Sequence, residues 1–230
     1  PKAIIPVDLF GQPANYHEIC KYALKYDLFV LEDAAQSFGG EINNKKTCTF
    51  GDVSSTSFFP AKPLGCYGDG GAIFTNNKEL YKVMKSIRVH GEGVDKYDNV
   101  RLGLNGRLDT IQAAILLEKL SIFSEEIIKR NIIADYYTSN MLSCLKRPYV
   151  PKNYISSWAQ YSLVTKSEDY RNQLLLFLES NKIPATVYYR FPLHMQPVFK
   201  YLGYKKGDFP VSEELSRKIF SIPMHPYLAM

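Results

Sequence analysis

The 230-residue chain is 46% hydrophobic and 22% charged, with 14 Gly and 13 Pro, proportions that exclude a collagen-like repeat, a disordered tail and a disulfide-stapled miniprotein. Lys and Arg outnumber Asp and Glu by 28 to 23, a net charge of +5, and the basic residues lie in scattered pairs such as Lys45-Lys46. That excludes the basic patch or stripe that nucleic-acid binding needs.

In chain order, Ala3 to Val7 reads as a strand and Gly11-Gln12-Pro13 as a turn. Asn15 stands three residues before Glu18, a capping-box-like start for a helix to about Tyr26. Leu28 to Leu31 follows as a second apolar strand, so strand, helix and strand describe a βαβ unit with a parallel sheet covered on both faces. Further strands are expected at Val53 to Phe59 and Ala72 to Thr75. A helix over Lys78 to Arg88 carries Leu80, Met84 and Ile87 at core spacing. Beyond a glycine-rich loop, helices are expected over Thr110 to Lys119 and from Ile122 to about Leu145. Two prolines in Arg147-Pro148-Tyr149-Val150-Pro151 interrupt the pattern and mark a domain boundary. The second module reads as strand (Trp158 to Thr165), helix (Tyr170 to Glu179), strand (Ala185 to Tyr189), then short helices near Val198 to Leu202 and Ser212 to Phe220.

The four cysteines are widely spaced with no C-x-x-C pair, which excludes a zinc ribbon and a redox motif and leaves a reducing, cytoplasmic setting as the expectation. No apolar run approaches the ~18–20 residues of a membrane span.

Ligands of α/β sheets sit at the carboxyl ends of strands. Two places there can carry chemistry. Glu32-Asp33-Ala34-Ala35-Gln36 ends an apolar strand in acids followed by small residues. An acid there can face a bound ring or a metal; the alternative is a helix cap or a surface acid. The phosphate loop that a nucleotide hydrolase requires, G-x-x-x-x-G-K-[ST], is absent. The second place is Ser57-Phe58-Phe59-Pro60-Ala61-Lys62-Pro63-Leu64-Gly65, continuing to Gly68-Asp69-Gly70-Gly71. Its glycines lead into a strand and not into a helix, so it is no dinucleotide fingerprint. Lys62, between two prolines, projects from a stiff turn and loses little further entropy on forming a bond. A lysine so placed can act as an amine nucleophile, or it is simply solvated. With an acid ending a neighbouring strand, it forms the pair that pyridoxal 5′-phosphate (PLP) needs.

These two strings, with Leu104-Asn105-Gly106-Arg107-Leu108-Asp109, resemble the DegT/DnrJ-type nucleotide-sugar aminotransferases, fold-type-I PLP enzymes. The resemblance continues through Pro192-Leu193-His194, Gly207-Asp208-Phe209-Pro210 and Ser221-Ile222-Pro223-Met224-His225-Pro226, and so covers essentially the whole chain. The lysine loop is most similar to the 3-keto-sugar branch that includes enzymes aminating UDP-2-acetamido-2-deoxy-3-oxo-glucuronate.

The fold implied by the resemblance is α/β: part of a fold-type-I large domain, with a mainly parallel sheet and helices on both faces, then a small α+β domain. Residues 1–147 would be the C-terminal part of the PLP-binding domain with a long connecting helix, and residues 148–230 the small domain. By position, Lys62 matches the Schiff-base lysine, Asp33 the partner of the pyridine nitrogen, Gln36 the residue beside the ring hydroxyl and Ser57 a phosphate contact. Asn105 matches the asparagine that reaches the cofactor phosphate of a neighbouring subunit, which implies a homodimer with a shared active site. Arg107 matches a position that meets a sugar carboxylate from the partner subunit. His194 matches the small-domain residue facing the sugar; Arg190-Phe191 precede Pro192, whereas the family usually has a proline two residues before its Pro-Leu-His.

The implied activity is ping-pong transamination from L-glutamate to a nucleotide-linked keto sugar, giving an amino sugar for surface polysaccharide such as O-antigen. Lys62 argues against the dehydratases of the family, which carry histidine there. A desulfurase is disfavoured because no cysteine lies on a recognisable catalytic loop. The remaining alternative is a truncated relative that folds or dimerises without turnover. The resemblance places on the order of a hundred residues before Pro1, bearing the phosphate-binding helix N-terminus and a ring-stacking aromatic, and a helix beyond Met230. The expectation for the chain as given is therefore weak PLP binding.

Overall fold

The computed structural model describes residues 1–95 and 97–229. The chain forms two compact units, Pro1–Ile128 with Val150–Ala159, and Lys129–Tyr149 with Gln160–Met230.

The first unit begins with β1 (Ala3–Ile4), α1 (Tyr16–Tyr26) and β2 (Phe29–Asp33). Asn15 caps α1 by accepting the Glu18 N–H at 3.4 Å, and Asp27 closes it in the left-handed conformation. The strands β1 and β2 are parallel, with Ala3 opposite Phe29 and Ile4 opposite Val30. A hairpin of β3 (Glu41–Ile42) and β4 (Lys45–Lys46) follows. It was not expected; Asn43 and Asn44, both at positive φ, supply the two-residue turn whose twist suits a hairpin.

Strand β5 (Val53–Ser57) pairs parallel to β2, with Asp33 opposite Ser55. Strand β6 (Gly71–Phe74) pairs antiparallel to β5, with Ser57 opposite Gly71, and the sheet order is β1-β2-β5-β6. The parallel expectation thus holds for three strands and fails at the fourth. The connection from Ser57 to Gly71 contains no crossover helix and folds back directly, which only an antiparallel partner permits.

Helix α2 (Lys78–Arg88) has the expected limits. Asn77 caps its first turn, and Lys85 and Arg88 in its last turn complement the helix dipole. Helix α3 (Thr110–Asn140) runs unbroken where two helices were expected. No glycine or proline interrupts it, and the Ser121 hydroxyl donates back to the Glu118 carbonyl at 2.6 Å, so its polar side chain is absorbed inside the helix. Strand β7 (Tyr154–Ile155) pairs with β3 and completes this unit.

In the second unit, β8 (Tyr161–Val164), α4 (Glu168–Ser180), α5 (Pro210–Lys218) and β9 (Ile219–Ile222) follow in order. Strands β8 and β9 are antiparallel, with the Ser162 and Ser221 hydroxyls bonded at 2.8 Å. Three expectations are corrected here. The strand begins at Tyr161 and not at Trp158, whose φ of 49° breaks the extended run. Ala185 to Tyr189 makes only a single bridge, Thr186 to Ser221. The last helix ends at Lys218, because Ile219 and Phe220 are buried in pairing with β8. The short helices of this unit are 3₁₀ turns at Leu193–Met195 and Pro197–Leu202. No helix among the described residues is long and apolar enough to cross a membrane.

Candidate active site

Two adjacent acids end β2. Glu32 is fully buried and accepts from the Cys48 N–H at 2.6 Å, the Phe50 N–H at 2.8 Å, the Gly51 N–H at 3.3 Å and the Ser54 hydroxyl at 2.5 Å. It is a structural anchor. Asp33 is half-buried, and its Oδ1 accepts the Ala35 N–H at 3.1 Å. Its Oδ2 takes no hydrogen bond among the described residues.

Lys62 lies on the turn after β5, where its N–H donates to the Phe59 carbonyl at 2.9 Å. The flanks of that turn are held on both sides. Phe58, Leu64 and Cys66 are buried with Leu116 and Phe123 of α3. The Cys66 thiol lies 3.0 Å from both the Phe58 and Gly68 carbonyls. Helix α3 adds two polar ties: Gln112 accepts the Tyr67 N–H at 2.8 Å, and Lys119 donates to the Gly65 carbonyl at 2.5 Å. Against this fixed backing the Lys62 amine has no hydrogen-bond or ion-pair partner among the described residues. Burial pushes its ammonium below the ordinary lysine range, and the Asp33 carboxylate pulls the other way.

Gln36 is buried. Its Oε1 accepts the Phe10 N–H at 2.5 Å and its carbonyl accepts the Ser157 hydroxyl at 2.8 Å. The Ser57 Oγ accepts the Phe59 N–H at 3.2 Å, so its hydroxyl hydrogen is available to an anion. Asp33, Gln36, Ser57 and Lys62 therefore gather at the carboxyl ends of two neighbouring parallel strands.

The other predicted residues lie elsewhere. Asn105 and Arg107 are exposed on the segment before α3, where the Arg107 Nε donates to the Asn105 Oδ1 at 3.1 Å. Among the described residues no hydrogen bond or ion pair joins either to the four residues above. His194 belongs to the second unit, where its Nε2 lies 3.0 Å from the Glu213 Oε1 and its ring packs on Phe209 at 4.7 Å. A cavity of about 970 Å³ beside β5, β6 and α2, walled by residues such as Thr56, Ile73, Tyr81 and Met84, is lined by none of the predicted residues.

The donor set fits PLP: among the described residues, one amine and one carboxylate oxygen without a hydrogen-bond partner, with one buried amide and one hydroxyl that only accepts, at a common sheet end. A model of the DegT/DnrJ/EryC1/StrS aminotransferase family matches residues 1–230. The chain belongs to that family.

Among family members, the UDP-2-acetamido-2-deoxy-3-oxo-D-glucuronate aminotransferase of Pseudomonas aeruginosa is 45% identical over 228 residues, 99% of this chain and 62% of that protein. A solved DegT DnrJ EryC1 StrS aminotransferase from Brucella abortus is 50% identical with a TM-score of 0.94, over 100% of this chain and 61% of that one. DesV of S. venezuelae, solved in complex with a ketimine intermediate, is 30% identical with a TM-score of 0.93, over 99% and 61%. The chain thus spans about three fifths of the length of the relatives it matches.

One residue of this family member escaped the sequence reading. Asp8 stands just past the strand expected over Ala3 to Val7, and Val7 bridges to Asp33, the last residue of β2. The strand-end criterion applied to the second strand would have found it on the first.

Proposed function

We propose that this chain carries the lysine-bearing part of a PLP-dependent nucleotide-sugar aminotransferase that moves an amino group from L-glutamate to a keto-hexose. A UDP-linked 3-keto sugar is the proposed acceptor, supported by the similarity to the Pseudomonas aeruginosa protein. The product would be an amino sugar for surface polysaccharide, made in the cytoplasm. The observation that carries the reading is the half-buried Lys62 amine, without a hydrogen-bond or ion-pair partner among the described residues and set within electrostatic reach of Asp33.

When bound, PLP supplies an electron sink for charge developing at the substrate carbon. Lys62 would hold it covalently and, once free, carry a proton at Nζ; its burial favours the neutral amine that both tasks need. Asp33 would hold a proton on the ring nitrogen through the oxygen left open by Ala35. Gln36 would donate beside the ring hydroxyl, and Ser57 would donate to the phosphate. Asn105 and Arg107 would act from one subunit of a homodimer in the other's site, where the planar fork of Arg107 suits a sugar carboxylate. His194 would face the sugar with the ring nitrogen not taken by Glu213.

The test is borohydride reduction of the PLP-treated protein. Wild type should gain a covalent adduct on the Lys62 peptide and Lys62→Ala should gain none. An adduct elsewhere, or a visible cofactor band unchanged in Lys62→Ala, would refute the reading.

A further inference from the structure

We propose that Asp8 is a positioning residue that fixes Gln36, and with it the carboxyl end of β2, for the cofactor ring; this rests on the role given to Gln36 above. Asp8 is fully buried and its carboxylate gathers three donors from two separate stretches of chain. Its Oδ1 accepts the Ala14 N–H and the Tyr16 hydroxyl, each at 2.8 Å, and its Oδ2 accepts the Ser37 hydroxyl at 2.6 Å. Its own N–H donates to the Asp33 carbonyl at 3.0 Å.

The consequence falls on Gln36. One residue away, Ser37 is tied to Asp8; two residues after Asp8, Phe10 presents its N–H to the Gln36 Oε1. Phe10 can do so only in the left-handed conformation it adopts, φ 63°, an uncommon state for a bulky residue that the surrounding bonds must hold. Taking up Oε1 settles which end of the amide is the acceptor and directs the two-donor Nε2 end the other way. Without the Asp8–Ser37 tie, the side chain-to-side chain bond between the turn at 8–11 and the turn at 34–37 is lost, and the Phe10–Gln36 bond must hold its place without it. A purely structural acid would lower stability without discriminating Gln36 from any other neighbour.

The experiment compares wild type with Asp8→Asn, Ser37→Ala, Gln36→Ala and the double variant Asp8→Asn with Gln36→Ala. In the protein without PLP, amide exchange at Phe10 should quicken by about tenfold or more in Asp8→Asn and Ser37→Ala, with the β8–β9 amides unchanged. In PLP titrations followed by visible absorbance, Asp8→Asn and Gln36→Ala should each weaken binding by about tenfold, and the double variant should bind no more weakly than Gln36→Ala alone. Additive losses, or an unaltered Phe10 amide in both Asp8→Asn and Ser37→Ala, overturn the proposal while leaving the functional reading intact. If Asp8→Asn fails to fold, Ser37→Ala, which removes only the linking hydroxyl, decides on the same readouts. A wild-type protein that takes up no PLP overturns both.

Discussion

Glu32 and Asp33 are neighbours on β2 whose side chains point to opposite faces of the sheet, as alternation along a strand requires. The first is enclosed by four donors, and the second keeps one oxygen open. Glu32→Ala should therefore destabilise the protein by on the order of 3 kcal/mol or more, since buried donors are left unpaired. Asp33→Asn should stay within about 1 kcal/mol of wild type and yet abolish the transamination proposed above. Urea unfolding and single-turnover assays of the two variants check the contrast.

Asp8 gives a pH dependence of known sign. Burial is the main cause that raises its carboxyl from 3.8 to about 6, opposed by the Ser37, Ala14 and Tyr16 donors and reinforced by the Glu32 charge. The folded state then holds the proton more tightly than the unfolded one. Its contribution is fully present below pH 3.8, falls as pH rises toward 6, and is flat above. The unfolding free energy of wild type relative to Asp8→Asn should drop by about 2 kcal/mol between pH 4 and pH 7. Urea titrations at the two pH values measure it, and a constant difference would contradict it.

Gly11 closes the turn that holds Phe10. Its φ is +102°, and an added Cβ would lie 2.6 Å from the Trp158 nitrogen and 2.7 Å from the Ala159 nitrogen, both backbone atoms. Gly11→Ala should cost about 3 kcal/mol from left-handed strain and overpacking together. Thermal unfolding reads the loss, and exchange at the Ser157 amide, which donates to the Gly11 carbonyl at 2.9 Å, should quicken in parallel.

Glu213 organises the segment around His194. Its Oε1 accepts from the Gly207 N–H at 2.7 Å and the Phe209 N–H at 3.4 Å, besides meeting His194. The Gly207 bond is the main cause holding its carboxyl below the ordinary 4.5. That stabilisation is present above pH 4.5 and fades as pH falls through the depressed value. Protection of the Gly207 and Phe209 amides should therefore be lost in Glu213→Ala at neutral pH, and in wild type only in acid.

Much of this protein is written locally. The limits of α1 and α2 follow from Asn15 and Asn77, whose side chains cap the next turn wherever the rest of the chain goes. The Lys62 turn and the acids ending β2 were legible because prolines, glycines and strand ends constrain a backbone over a few residues. The family was legible for the same reason, from short ordered strings.

Tertiary structure decided what local signals left open. Ile219 and Phe220 continue a helical pattern, but burial against β8 makes them a strand. Ser121 could have broken α3 and did not, because its hydroxyl found the Glu118 carbonyl. Which acid of Glu32-Asp33 is an anchor, and that Asp8 meets Ser37, depends on partners 16 to 29 positions away in the chain. Local chemistry sets which groups a segment offers; only packing sets which of them are satisfied, and among the described residues it leaves one Asp33 oxygen and the Lys62 amine without a hydrogen-bond partner.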